Sequence, residues 1–198
     1  MDSAKSASNA PYVCGRRRNQ WDSDFEMNNL YIMNSMGFKI SWKLISIGLY
    51  GNDEIPVSLT YDDVLKYLDS LLTDIDEQTD NIIALVCEKE DSTKFDRLLK
   101  ELANKDKSNI AIEKRKWRAC LLKNLIDNIN DDCLQGLLEL MEFWVSMGKP
   151  DDCPQAFPSG DNNKSVQDYF TQASYEFNLN KNREWLDKET QSLVKLEG

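Results

Sequence analysis

Carboxylates are the most abundant reactive side chains in this sequence, with 34 aspartates and glutamates among 198 residues. They stand in close groups, such as Asp62-Asp63, Asp131-Asp132 and Asp151-Asp152, where oxygen ligands for a divalent cation could meet. An EF-hand loop needs a central glycine, and the acidic stretch at 74–88 contains none. Carboxylates are equally expected in the first turn of a helix, where they face the positive end of the helix dipole. The pattern therefore predicts no specific metal site and no cofactor.

Histidine is absent from the chain. Its absence excludes Ser–His and Cys–His nucleophile pairs and the HExxH zinc motif, and no P-loop, GxGxxG or GxSxG sequence occurs. Five widely spaced cysteines without a CxxC pair argue against a disulfide framework and against a zinc ribbon. We predict that Cys87, Cys120 and Cys133 are buried apolar residues of helices, a usage that fits the reducing cytoplasm. Binding is therefore favoured over catalysis, and we predict that the protein is not an enzyme.

Net charge is −10, and it is unevenly distributed along the chain. Residues 51–96 hold thirteen acids and three bases, residues 100–123 hold eight bases and three acids, and residues 127–168 are acidic again. Such segregation predicts a dipolar surface with one face able to steer a basic partner, unless the acidic and basic segments neutralise one another across the fold. Nucleic acid and anionic membranes are disfavoured as partners, because both are bound through clustered Lys and Arg.

Apolar residues recur at helical spacing from Phe38 onward, and no strand alternation is evident. Thr60 and Asp63 have capping-box spacing and mark the clearest helix start. We predict an all-α fold, either an antiparallel helical bundle or a loose array of αα-hairpins. The core is expected to include Trp117 and Trp144, while Trp42 or Trp185 could anchor an interface. Helices are predicted over 60–72, 80–87, 92–104, 110–129, 134–145, 165–177 and 181–196, with a short helix or mixed turn over 38–50. The candidate αα-hairpins pair 60–72 with 80–87, 92–104 with 110–129, and 165–177 with 181–196. The apolar stripe that predicts the 134–145 helix consists of Leu134, Leu137, Leu138, Met141 and Val145.

Two segments lack this periodicity. Residues 1–37 are predicted to be a poorly ordered N-terminal extension, and residues 38–198 a single helical domain. Because three methionines stand just before residue 38, the extension could also be an over-extended reading of the start. Residues 149–163 contain three prolines and a glycine and are predicted to be a long loop.

Four stretches show distinctive local patterns: residues 38–45 (FKISWKLI), 48–50 (GLY), Trp117-Arg118, and the turn from 148 to 158, which together span about residues 38–160. These stretches resemble a family of small uncharacterised bacterial proteins associated with toxin immunity. The resemblance implies a cytoplasmic immunity protein that neutralises the C-terminal toxin domain of a delivered effector, as in contact-dependent growth inhibition. Such toxins are often nucleases, including tRNA-cleaving RNases. None of these stretches is a catalytic motif, so no functional residue is carried over.

The charge pattern agrees with that role, because a nuclease holds a polyanion in a basic cleft that an acidic inhibitor can occupy. A helical adaptor or regulatory module without a toxin partner is the alternative, and a metal-dependent enzyme built on the acidic clusters is a third possibility. The toxin-binding residues are predicted to be Asp74, Asp76, Glu77, Asp80, Glu88, Glu90 and Asp91.

Overall fold

The computed structural model describes residues 28–72, 79–88, 92–158 and 169–197, and these residues form helices and no strand. The all-α prediction is therefore confirmed. None of the described helices is long and apolar enough to cross a membrane. The described residues form eight helices: α1 (Asn29–Ser35), α2 (Trp42–Tyr50), α3 (Tyr61–Leu71), α4 (Thr79–Cys87), α5 (Ser92–Lys105), α6 (Ile110–Asn128), α7 (Cys133–Ser146) and α8 (Gln172–Glu197).

Helix α6 is the centre of the fold and packs against α1, α2, α7 and α8. Its Trp117 is fully buried, as predicted, and the indole N–H donates a hydrogen bond of 2.8 Å to the Leu44 carbonyl of α2. Gly48 of α2 allows this close approach, because a Cβ there would overlap the indole ring and lie 2.7 Å from Leu59 Cδ1. The contact fixes α2 on α6 by both shape and hydrogen bonding.

Helix α3 begins as predicted. Asp63 N–H donates to the Thr60 hydroxyl at 3.1 Å, and the Asp63 carboxylate accepts from Thr60 N–H at 2.8 Å, which completes the capping box. Helix α3 packs on α4, as the hairpin prediction required. Helix α5 packs chiefly against α2 rather than forming the expected hairpin with α6.

The helical domain extends further toward the N-terminus than the sequence indicated. Asn28 accepts backbone hydrogen bonds at the start of α1, and Leu30 and Met33 of this helix are fully buried. Residues 28–37 therefore belong to the domain, and the predicted boundary after residue 37 is wrong. A helix of two turns is too short to reveal its period in sequence. Residues 1–27 lie outside the described residues.

Helix α8 is continuous where two helices were predicted, so the expected break near residue 180 is wrong. Asn178 and Asn182 lie at the expected break, and both are buried on α8 and donate to carbonyls four residues earlier. Trp144 N–H donates to Asn182 Oδ1 at 2.6 Å, and Asn182 donates to Gln155 Oε1 at 3.0 Å. These amides hold α7 and the described part of the proline-containing loop, up to residue 158, against α8.

Helix α7 buries a different face from the predicted one. Leu137 is fully buried as expected, and so are Leu140 and Trp144, but Leu134 and Val145 are 48% and 52% exposed. The predicted core positions Leu134 and Val145 are therefore wrong. When apolar residues cover more than half of the circumference of a helix, contacts with the neighbouring helices determine which face is buried.

The cysteines differ in burial. Cys120 is buried as predicted, Cys133 is half-buried, and Cys87 is exposed at the end of α4. The prediction for Cys87 is wrong, because the buried residues of this short helix are Ile82 and Leu85.

Candidate functional site

The predicted toxin-binding residues are only partly within the described chain. Asp80 is exposed in the first turn of α4. Glu88 is half-buried just after α4, with its carboxylate 3.6 Å from Lys94 Nζ. This acidic surface therefore stays a prediction. The other five residues, Asp74, Asp76, Glu77, Glu90 and Asp91, lie outside the described residues.

Other acids of segment 51–96 are paired within the protein. Glu54 forms an ion pair of 2.6 Å with Lys114, and Asp62 forms one of 2.8 Å with Lys66 one turn along α3. Asp63 completes the α3 capping box. Of these contacts, only the pair with Lys114 brings a positive charge from outside the segment, so most of the negative charge counted in sequence remains.

Asp96 of α5 joins three helices through two tyrosines. Tyr50 of α2 donates to Asp96 Oδ1 at 2.6 Å, and Tyr61 of α3 donates to the same oxygen. Burial opposes ionisation of Asp96, but the two phenol hydrogen bonds outweigh it and hold its pKa below the ordinary value. Burial and the carboxylate both raise the pKa of Tyr50. The tyrosines therefore stay protonated and act as structural hydrogen-bond donors rather than nucleophiles. No spacing in the sequence indicated that Tyr50, Tyr61 and Asp96 form a cluster.

Cations of α6 pair with acids from distant parts of the chain. Arg115 donates two hydrogen bonds, of 2.7 and 2.8 Å, to the carboxylate of Glu189 in α8. Arg118 donates to Asp152 at 3.2 Å, and its guanidinium lies 5.2 Å from the centre of the Trp185 ring. These contacts support neutralisation across the fold for the basic segment.

Lys116 of α6 belongs to a buried ionic cluster. Its ammonium lies 3.3 and 3.2 Å from the two carboxylate oxygens of Glu113, donates to the Lys39 carbonyl at 2.9 Å, and pairs with Glu197. The side chains of Lys116 and Glu113 are 1% and 2% exposed. Burial raises the pKa of Glu113 although the ammonium opposes that rise. The cluster fastens the end of α8 to α6 and is closed to a partner.

The most one-sided charge in the described chain lies between α6 and the end of α7. Residues 124–148 contain five acids and neither lysine nor arginine. Asp131 and Glu142 are exposed, whereas Asp127 pairs with Lys123 and Asp132 caps α7 through the Gln135 N–H. We name residues 124–148 the α7 acidic segment. Its negative charge is only partly compensated by neighbouring cations.

Two surface cavities are lined in part by residues of α6. A cavity of about 460 Å³ is lined by Asn29, Asn124, Asn128, Asp63 and other residues, mostly polar. The asparagines bond to one another: Asn124 donates to Asn29 at 3.3 Å, and Asn128 donates to the Asn124 carbonyl at 2.8 Å. Their hydrogen bonds tie α1 to α6.

The second cavity, of about 290 Å³, lies beside Lys114, Arg115 and Arg118. Each of these cations has a carboxylate partner. Within the described part of the chain no three potential ligands among His, Cys, Asp and Glu are grouped for a metal ion.

These features define an all-α protein with internally paired cations and an acidic surface segment. The chain belongs to the family described as uncharacterized protein conserved in bacteria (DUF2247), whose profile matches residues 30–190. The match covers α1 and most of α8, both of which lie outside the stretches that carried the resemblance in sequence. No curated protein and no solved structure is significantly similar to the chain.

Proposed function

We propose that this protein is an immunity protein that binds and neutralises the basic C-terminal toxin domain of a delivered bacterial effector. The proposed toxin is a nuclease, with tRNA-cleaving RNases as one class, and the proposed location of the complex is the cytoplasm. The observation that carries the proposal is the charge arrangement. Four cations of α6 are paired with carboxylates of other segments, whereas the α7 acidic segment contains no lysine or arginine.

The proposed mechanism is electrostatic capture. A nuclease binds a polyanion, so its cleft is basic, and carboxylates presented by the inhibitor would take the place of phosphates. Complementary charge can raise association rates to about 10⁸–10⁹ M⁻¹s⁻¹ at low salt. Fast capture suits a protein that must meet a toxin before the toxin acts. The predicted residues from Asp74 to Asp91 remain part of this proposed surface, together with the α7 acidic segment.

Co-expression tests the function directly. We expect the gene immediately upstream to encode a large exported protein with a small basic C-terminal domain, and that domain is the probe. We expect that domain alone to arrest growth, and co-expression of the full chain to restore it. Persistent arrest with both proteins present at comparable levels would refute the proposal.

Association kinetics test the mechanism separately. We expect the association rate constant to fall steeply as ionic strength rises, because the Debye length shrinks from about 30 Å at 0.01 M to about 10 Å at 0.1 M salt. Replacing Asp74, Asp76 and Glu77 with lysine should slow association, whereas replacing Glu184, which faces Lys181 on α8, should not. Equal rates for all variants would reject the predicted surface and leave the function standing.

A helical adaptor is the second candidate, and the exposed Leu134 and Val145 of α7 favour it. An adaptor that binds through apolar contacts alone should show little dependence of affinity on salt. It should also fail to relieve toxin arrest.

A further inference from the structure

The outer face of α7 carries an apolar stripe of which only Met141 packs against the core. Leu134, Leu138, Met141 and Val145 follow one another at four, three and four residues, so they share one side of the helix. Leu134 and Val145 are about half exposed, and the two residues between them are partly buried. We call these four residues the α7 outer face.

Exposed carboxylates border this face. Asp131 lies just before α7, and Glu142 lies one turn after Leu138. The nearest cations in sequence are already engaged: Lys123 pairs with Asp127, and Lys149 lies 4.5 Å from the centre of the Phe157 ring. An apolar centre with a charged rim is the usual arrangement of a protein interface.

The negative charge of these bordering carboxylates determines which kind of partner fits the α7 outer face. A second copy of this chain, related by a two-fold axis, would bring the same carboxylates together across the interface, where like charges repel. A partner with apolar side chains surrounded by lysine or arginine would instead complement both the stripe and its rim. We propose that the α7 outer face is the docking surface for the basic toxin domain, an inference that rests on the proposed function.

The two parts of the surface have different kinetic roles. The carboxylates act at long range and set the association rate, whereas buried apolar contacts chiefly set the dissociation rate. Truncating an apolar hot spot commonly costs at least tenfold in affinity. We therefore expect apolar and acidic substitutions to change different rate constants.

Serine substitutions test the apolar part without changing charge. Leu134→Ser combined with Val145→Ser should raise the dissociation rate constant for the toxin domain at least tenfold. The matched control combines Leu196→Ser with Val57→Ser, because these residues are 56% and 64% exposed and lie outside α7. Since all four residues are at least about half exposed, the variants should fold, and circular dichroism checks this.

Neutralising substitutions test the rim. Asp131→Asn with Glu142→Gln should lower the association rate constant at low salt several-fold and reduce its salt dependence. Asp187→Asn with Glu184→Gln on α8 removes the same net charge elsewhere and should have a smaller effect.

The outcomes separate the two proposals. If the wild-type chain does not bind the toxin domain, both fall. If the wild type binds and the α7 variants bind with wild-type rate constants, the docking surface is wrong and the function stands. A dimer of the wild type that is lost in Leu134→Ser with Val145→Ser would assign the face to a second copy and overturn the inference.

Discussion

The buried Lys116 cluster allows a quantitative test of the fold, in which Lys116→Met removes the ammonium and keeps most of the side-chain volume. Lys116 and Glu113 are 1% and 2% exposed, so the variant leaves a carboxylate in the interior without its cation. Loss of one partner of a buried ion pair costs about 3–5 kcal/mol. Lys123→Met is the control on the same helix. Its pair with Asp127 is 39% and 47% exposed and should contribute about 0–1 kcal/mol.

The loss of unfolding free energy in Lys116→Met should become larger as pH rises. Burial already raises the pKa of Glu113, and removing the ammonium raises it further. A carboxyl group whose pKa is raised in the folded state stabilises the fold below its unfolded pKa. That stabilisation is lost as pH rises through the folded pKa. The variant should therefore lose stability relative to wild type as pH rises above the ordinary titration range of a glutamate.

Urea unfolding, followed by circular dichroism, measures both effects. Glu113→Gln combined with Lys116→Met should recover much of the loss, because no unpaired charge then remains at Glu113. The reasoning would be refuted if Lys116→Met and Lys123→Met were equally mild. It would also be refuted if the double variant were less stable than Lys116→Met alone.

Two further predictions concern packing and thiol reactivity. Gly48→Ala should destabilise the protein by about 1–3 kcal/mol in urea unfolding, because the new methyl group overlaps Trp117; an unchanged midpoint would show that the α2–α6 contact can relax. Burial raises the pKa of Cys120 to about 12, so iodoacetamide near pH 8 should spare this thiol in the folded protein and label the exposed Cys87. Site-resolved mass spectrometry checks the order, and equal labelling would contradict the burial of Cys120.

Local signals in the sequence were sufficient for the all-α class and for several details. The spacing of Thr60 and Asp63 located the start of α3, because a capping box is a contact between residues three positions apart. Trp117 and Trp144 lie in the core as predicted. Such features depend on residues within one or two turns of each other, which the sequence displays directly.

Features that depend on distant contacts could not be predicted in the same way. Asn178 and Asn182 have low helix propensity, yet their amides satisfy buried groups of α7 and the loop before residue 158, and the helix continues through them. The exposed position of Val145 likewise follows from how α7 meets its neighbours rather than from its own pattern. The partners of Arg115 and Lys116 are also distant, since both contact acids near the end of α8.

The α6 cations show why the sequence count of charge was a poor guide to the surface. Lys116 is buried, and Arg115 and Arg118 are mostly buried against acids of α8 and of the loop that precedes it. Their positive charge therefore holds helices together and offsets little of the negative field outside. Among the ion pairs of the described residues, the α7 acidic segment takes part only in the one between Asp127 and Lys123, so its field extends into solvent, where salt screens it. The α6 cations can therefore be paired with acids of the same chain while the α7 acidic segment still attracts a basic partner.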